Sequence, residues 1–136
     1  MKILKNYEFI TEARKLYLKI KDETLDNLAY LVDDGYDISC KDDLRWIIVY
    51  ISIKRSNTAF WEGIKLSDIK DDIMTYIEYM NIKYDIQFIE FFGRKESISD
   101  KTEMGRSKIY QIDELENTED FYFTSLKIAF NKRWKK

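Results

Sequence analysis

The stretch Leu44-Arg45-Trp46-Ile47-Ile48-Val49-Tyr50-Ile51-Ser52-Ile53-Lys54 decides the fold class. Its middle is apolar at consecutive positions and rich in β-branched side chains, which pack well on a pleated surface. A half-wet strand would alternate polar and apolar residues. This one does not, so it is expected to be central, with both faces covered. Just upstream, Tyr36, Ile38 and Cys40 alternate with Asp37 and Ser39, the pattern of a short strand with one wet face. Lys41-Asp42-Asp43 reads as the turn between the two.

Moving toward the N-terminus, the period changes to that of a helix. Phe9, Ile10, Ala13, Leu16, Tyr17 and Ile20 recur on one face from about Asn6 to Ile20, with Asn6 as N-cap. Lys21-Asp22-Glu23 reads as a charged break. Thr24 then caps a second helix bearing Leu25, Leu28, Ala29, Leu31 and Val32. Gly35 is placed to end it, because glycine adopts the left-handed C′ conformation without strain. The two helices are expected to form an antiparallel pair.

Downstream, the polar loop Arg55-Ser56-Asn57-Thr58 leads to Ala59-Phe60-Trp61-Glu62-Gly63. Ser67 is placed to cap a helix from about Asp68 to Met80, striped by Ile69, Ile73, Tyr76, Ile77 and Met80. A strand follows at Asp85–Phe92, with Gly93 as its end, so a right-handed crossover is expected if the flanking strands run parallel. Residues 94–107 carry charge without apolar periodicity, and a loop of that length in a small domain tends to be functional. Lys108–Ile112 reads as a short strand, Asp113–Asp120 as an acidic turn or single helical turn, and Phe121–Phe130 as the last strand. The expected architecture is one α+β domain over residues 1–136, a mixed or antiparallel sheet of about four or five strands with three helices.

Composition limits the chemistry. The 136 residues contain no histidine, no proline and one cysteine. Without histidine the chain cannot assemble a Ser-His-Asp or Cys-His nucleophile, and one thiol cannot complete a tetrahedral zinc site. The alternation of Cys40 with Tyr36 and Ile38 points its thiol at the core. Gly35, Gly63, Gly93 and Gly105 are too scattered for a phosphate-binding loop. Carboxylates remain as candidate bases or Mg²⁺, Mn²⁺ or Ca²⁺ ligands: Asp33-Asp34, Asp42-Asp43, Asp71-Asp72, Glu90 and the 113–120 stretch. The 113–120 stretch lacks the glycine and ligand spacing of an EF-hand, and Phe91-Phe92 stands where a restriction-type nuclease would carry x-Lys after Glu90. No catalytic residue, metal or cofactor is expected.

The formal net charge is −2, from 23 basic and 25 acidic side chains, which gives no global attraction to nucleic acid or to an anionic bilayer. No apolar run is long enough to span a membrane. The start Met1-Lys2-Ile3-Leu4-Lys5 lacks a secretory signal, and the single cysteine suits a reducing compartment, so a bacterial cytoplasm is expected. Ile, Lys, Asn and Tyr fill 52 positions against 14 for Gly, Ala, Arg and Pro. That imbalance follows A/T-rich codons and suggests a low-G+C bacterium, its plasmids or its phages.

Aromatics make up 15% of the chain, more than a minimal core needs, and exposed aromatics anchor partners. The candidate partner-binding residues are Phe60 and Trp61, the loop cations Arg94, Lys95, Lys101, Arg106 and Lys108, and Trp134 in the basic tail. The leading expectation is a non-enzymatic phage or mobile-element protein that blocks a host protein or complex, as inhibitors of bacterial defence systems do. The alternative is a nucleic-acid-binding accessory protein using the 94–108 loop and the tail. A second alternative is a Mg²⁺-dependent nuclease or phosphohydrolase built on carboxylates. The sequence leaves the oligomeric state open, with a homodimer through an exposed edge strand near 121–130 as one option.

Overall fold

The structure, a computed structural model, describes residues 2–53, 63–97 and 105–134, and side chains over 12–53, 63–97 and 106–133. The apolar run forms β2 (Trp46–Ile53). It lies between β1 (Tyr36–Asp42) and β7 (Ser125–Trp134), antiparallel to both. β4 (Tyr84–Arg94) pairs with the other side of β7, and β5 (Gly105–Ile109) closes the far edge. The result is a five-stranded antiparallel sheet in the order β1-β2-β7-β4-β5.

The middle strand is therefore β7, not β2. The expected edge strand at 121–130 lies at the centre of the sheet, paired on both sides, so dimerisation through its edge is closed off. The reason is visible in its pattern: Leu126, Ile128 and Phe130 are completely buried on one face, and Ala129 on the other. That stretch also divides in two. Thr124 donates its backbone N–H and its hydroxyl to the Phe92 carbonyl at 2.8 and 3.0 Å, and so separates β7 from the short β6 (Tyr122–Phe123). β6 pairs with β3 (Ile64–Lys65) as a second, two-stranded sheet.

β2 and β4 both run antiparallel to β7, so they are parallel to each other with β7 inserted between them. α3 (Leu66–Lys83) crosses between them, and Ile69, Ile73, Tyr76, Ile77 and Met80 are all buried, as its periodicity requires. Its cap differs from expectation. Ser67 makes no side-chain cap; the Asp120 carboxylate, far along the chain, accepts the Ser67 backbone N–H at 2.9 Å.

α1 runs from Lys2 to Asn27 without a break at Lys21-Asp22-Glu23. Asp22 is exposed, but Glu23 and the following Thr24 face partners rather than water. Glu23 accepts hydrogen bonds from Lys83 Nζ at 2.8 Å and from the Tyr84 hydroxyl at 2.6 Å. Thr24, fully buried, shares a 2.6 Å hydrogen bond with the Tyr76 hydroxyl. Only α2 (Ala29–Asp33) follows, too short to form the expected antiparallel pair. Gly35 does take the left-handed conformation, φ +99°. Gly93, at φ +68°, does not end its strand: β4 passes it as a bulge between Phe92 and Arg94. The acidic stretch yields α4 (Ile112–Glu116), and β5 begins at Gly105 rather than Lys108.

One apolar cluster holds these elements together. It joins Leu16 and Ile20 of α1 and the buried stripe of α3 to Ile47, Val49, Ile51, Ile89, Phe91 and the inward residues of β7. Phe91, Phe121 and Phe123 meet within it at 4.9–5.9 Å between ring centroids. The edge of β1 is guarded: the Tyr17 hydroxyl of α1 donates to the Cys40 carbonyl at 3.2 Å, beside the charged Asp37 and Lys41.

Candidate interaction surface on the outer sheet face

Alternation along a strand sends successive side chains to opposite faces. Ile47, Val49 and Ile51 join the helix-covered core, so Trp46, Ile48 and Tyr50 lie on the other, outer face. Ile48, Phe88 and Ala129 are buried but stand outside the core cluster to which the described helices contribute. The expectation that both faces of β2 are covered is met at its middle, where Ile47 and Val49 toward the core and Ile48 on the outer face are all buried.

Strand register assembles the outer face row by row. Tyr50 on β2 lies opposite Lys127 on β7; Lys127 lies opposite Glu90 on β4; Glu90 lies opposite Lys108 on β5. Ile48 faces Ala129, which faces Phe88. Because Ala129 is small, Trp46 and Phe88 reach across β7 and meet edge to face, with centroids 5.8 Å apart and planes at 84°. Phe88 in turn lies 6.5 Å from Tyr110, so an aromatic row crosses from β2 to the end of β5.

Cations lie over this row. Lys108 Nζ is 4.3 Å and Lys127 Nζ 5.6 Å from the centre of the Phe88 ring, and the Arg106 guanidinium is 4.7 Å from that of Phe92. Beneath them Glu90, only 6% exposed, reaches Lys108 at 3.6 Å and Arg106 at 3.8 Å. Opposite charges on neighbouring strands stabilise the sheet and hold each cation in place. Among the described residues, one carboxylate stands among three cations there, which makes this cluster net positive. Tyr110 at 61% exposure and the Arg106 side chain at 69% form its accessible rim.

At the end of the face, beyond Trp46, Asn131 donates to Asp85 at 2.7 Å and to Gln87 at 2.8 Å, and Arg133 bridges Asp85 at 3.1 Å. A cleft of about 340 Å³ opens where the aromatic row meets the β5 edge of the sheet, lined by Phe88 and Tyr110, by Ile89 and Ile109 of the core, by Asn81 at the end of α3 and by Asp113 at the start of α4.

The eight candidates named from sequence divide into three groups. Arg106 and Lys108 stand on the outer face. Arg94 and Lys95 do not. The Arg94 guanidinium packs over Phe121 at 4.3 Å, donates to Ser107 Oγ at 2.9 Å and bridges Glu96 at 3.4 Å. Lys95 is 8% exposed, and its backbone pairs with Tyr122. Both therefore tie β4 to β6 and β5, because the bulge at Gly93 breaks the alternation that would have aligned them with Arg106. Phe60, Trp61 and Lys101 lie outside the described residues. Trp134 ends β7, its backbone opposite Tyr84, and its side chain is likewise outside them. Trp46, Phe88, Tyr110 and Lys127 are not singled out by the sequence, and Glu90 only as a candidate base or metal ligand. The signal for Lys127 and Glu90 is a charge at a strand position flanked by apolar residues on both sides.

Cys40 is half-buried on the core face, and desolvation, opposed by Lys21 and Thr24, pushes its thiol up to about 11. Among the described residues no group of three or more Asp, Glu or Cys side chains converges as a metal site, and no helix is long and apolar enough to cross a membrane. No protein-family model matches the chain, no curated protein is significantly similar to it, and no solved structure matches its fold significantly.

Proposed function

We propose that this is a non-catalytic binding protein, encoded by a phage or other mobile element, that blocks a host protein or complex in the bacterial cytoplasm with the outer face of its sheet. The observation that carries the proposal is the row Trp46–Phe88–Tyr110, flanked by Arg106, Lys108 and Lys127, on a face outside the helix-packed core. Tryptophan, tyrosine and arginine are the side chains that dominate protein–protein hot spots. The cations are held in place by rings and by Glu90 before any partner arrives, which lowers the entropic cost of binding. A complementary partner presents an apolar centre edged by carboxylates.

Single-stranded nucleic acid suits this face less well. Bases need open ring faces to stack on, and here Phe88 and Phe92 lie beneath the chain's own cations. The test is capture from nuclease-treated host lysate on the immobilised protein and on two variants. One changes the outer face, Trp46→Ala with Arg106→Glu; the other changes the helical side, Leu18→Ala with Tyr79→Ala. Retention of one stoichiometric protein that the first variant loses and the second keeps is the expected result. Capture that survives the first variant, or that nuclease abolishes, overturns the proposal.

A further inference from the structure

We infer that the cleft beside Tyr110 is an anchoring pocket for an arginine side chain supplied by the protein partner. The inference deepens the outer-face proposal and rests on it for the source of the occupant. It does not rest on it for the chemistry.

The cleft has an apolar floor and a polar mouth. Ile86, Ile89, Ile109 and Ile112 line it, with Ile89 and Ile109 buried, while Gln111 and Asp113 are exposed beside Tyr110. A side chain that buries a methylene stem and keeps a polar head at the surface matches that profile. The sign of the head follows from the charges around the mouth. Asp113 forms no ion pair with any described residue. The cations on the flanking elements are committed elsewhere: Lys108 to Glu90, Lys83 to Glu23 at 2.8 Å, and Lys70 to the Glu116 and Thr118 carbonyls. Asn81 stands in the last turn of α3, where the C-terminal carbonyls add negative potential. The start of α4 would contribute the opposite sign, but its first turn carries both Asp113 and Glu114. A cation is favoured.

Guanidinium is favoured over ammonium by shape. A planar fork can stack on the exposed Tyr110 ring while donating to the Asp113 carboxylate and the Gln111 carboxamide, which a point charge cannot do at once. The surface is then bipolar along a short stretch of chain, from Arg106 and Lys108 to Asp113. A partner carrying an arginine next to an acidic patch docks in one orientation only.

Agmatine, a guanidinium on a butyl chain with a terminal ammonium, serves as the probe, titrated into ¹⁵N-labelled full chain and followed by amide shifts. Expected are shifts confined to the 109–114 stretch and to Asn81 and Phe88. Binding should be about tenfold weaker in Asp113→Asn, which removes the charge and keeps the shape. Tyr110→Leu should weaken it to a smaller degree, and 1-butylamine should bind less tightly than agmatine. The amide spectrum of each variant reports its fold directly. Agmatine that leaves the cleft unshifted, that binds Asp113→Asn equally well, or that is outcompeted there by adenosine monophosphate overturns the inference. Loss of the cleft result with intact partner capture condemns the pocket alone; loss of capture with intact agmatine binding condemns the outer-face proposal alone.

Discussion

Glu90 illustrates how one residue serves both stability and recognition. Its carboxylate is nearly sealed beneath Lys108, Arg106 and Lys127. Removing a buried charge from a network leaves its partners facing one another without compensation. The cations here are partly solvated, so Glu90→Gln should lower the unfolding free energy by about 1–2 kcal/mol, measured by urea denaturation. The same substitution makes the outer face more positive, so partner capture should persist to higher salt. Stability and binding moving in opposite directions is the signature; both falling together would assign Glu90 a purely structural role. Cys40 makes a second prediction at this scale. With the thiol pushed up to about 11, chiefly by desolvation, it is protonated at neutral pH. Its reaction with a disulfide reagent at pH 7–8 should be at least about a hundredfold slower in the native protein than in urea, the thiolate being the reactive form. Comparable rates would mean that the thiol is neither buried nor poised as described.

Among the elements, α3 shows best where local sequence suffices and where it does not. Its apolar stripe is legible because helical period alone dictates which residues turn inward. Its cap is not, because Asp120 reaches Ser67 from across the fold. Desolvation pushes the Asp120 carboxyl up, but hydrogen bonds from Ser67 and Phe121 and the charge of Lys65 outweigh it, and the net shift is downward. A lowered pKa means stability that is fully present above the unfolded value, about 3.9, and is lost as pH falls below it through the lower folded value. Asp120→Ala should therefore cost about 1 kcal/mol at neutral pH, a typical cap. The gap to wild type should close as pH is lowered from about 5 to about 2. A gap that stays constant over that range would show that the carboxylate charge is not what caps the helix. α1 follows the same rule in reverse. Glu23 and Thr24 look like a break because their partners, Lys83, Tyr84 and Tyr76, stand more than fifty residues away. β7 likewise reads as one strand among several, since nothing local announces that it lies at the centre.

The whole molecule is a sheet with two unlike faces. One is the core, and its fold class is legible from periodicity and from the run at Trp46–Ile53. The other is a row of aromatics beneath cations, and only Arg106 and Lys108 of it are legible, as charges in a polar stretch. The remainder depends on register: Trp46, Phe88 and Lys127 become neighbours only when β7 comes between β2 and β4 and Ala129 lets the rings meet. Arg94 and Lys95, equally basic in sequence, are turned elsewhere by one bulge at Gly93. Function by surface contact is then a claim about which side of the sheet meets the partner. Photoreactive p-azidophenylalanine can replace Tyr50 or Tyr110 on the outer face, or Tyr30 or Tyr79 on the helical side, with little change in bulk. After irradiation in host lysate, the account predicts one discrete protein adduct from positions 50 and 110 and none from 30 and 79. Adducts from 30 or 79 with none from 50 and 110 would contradict it.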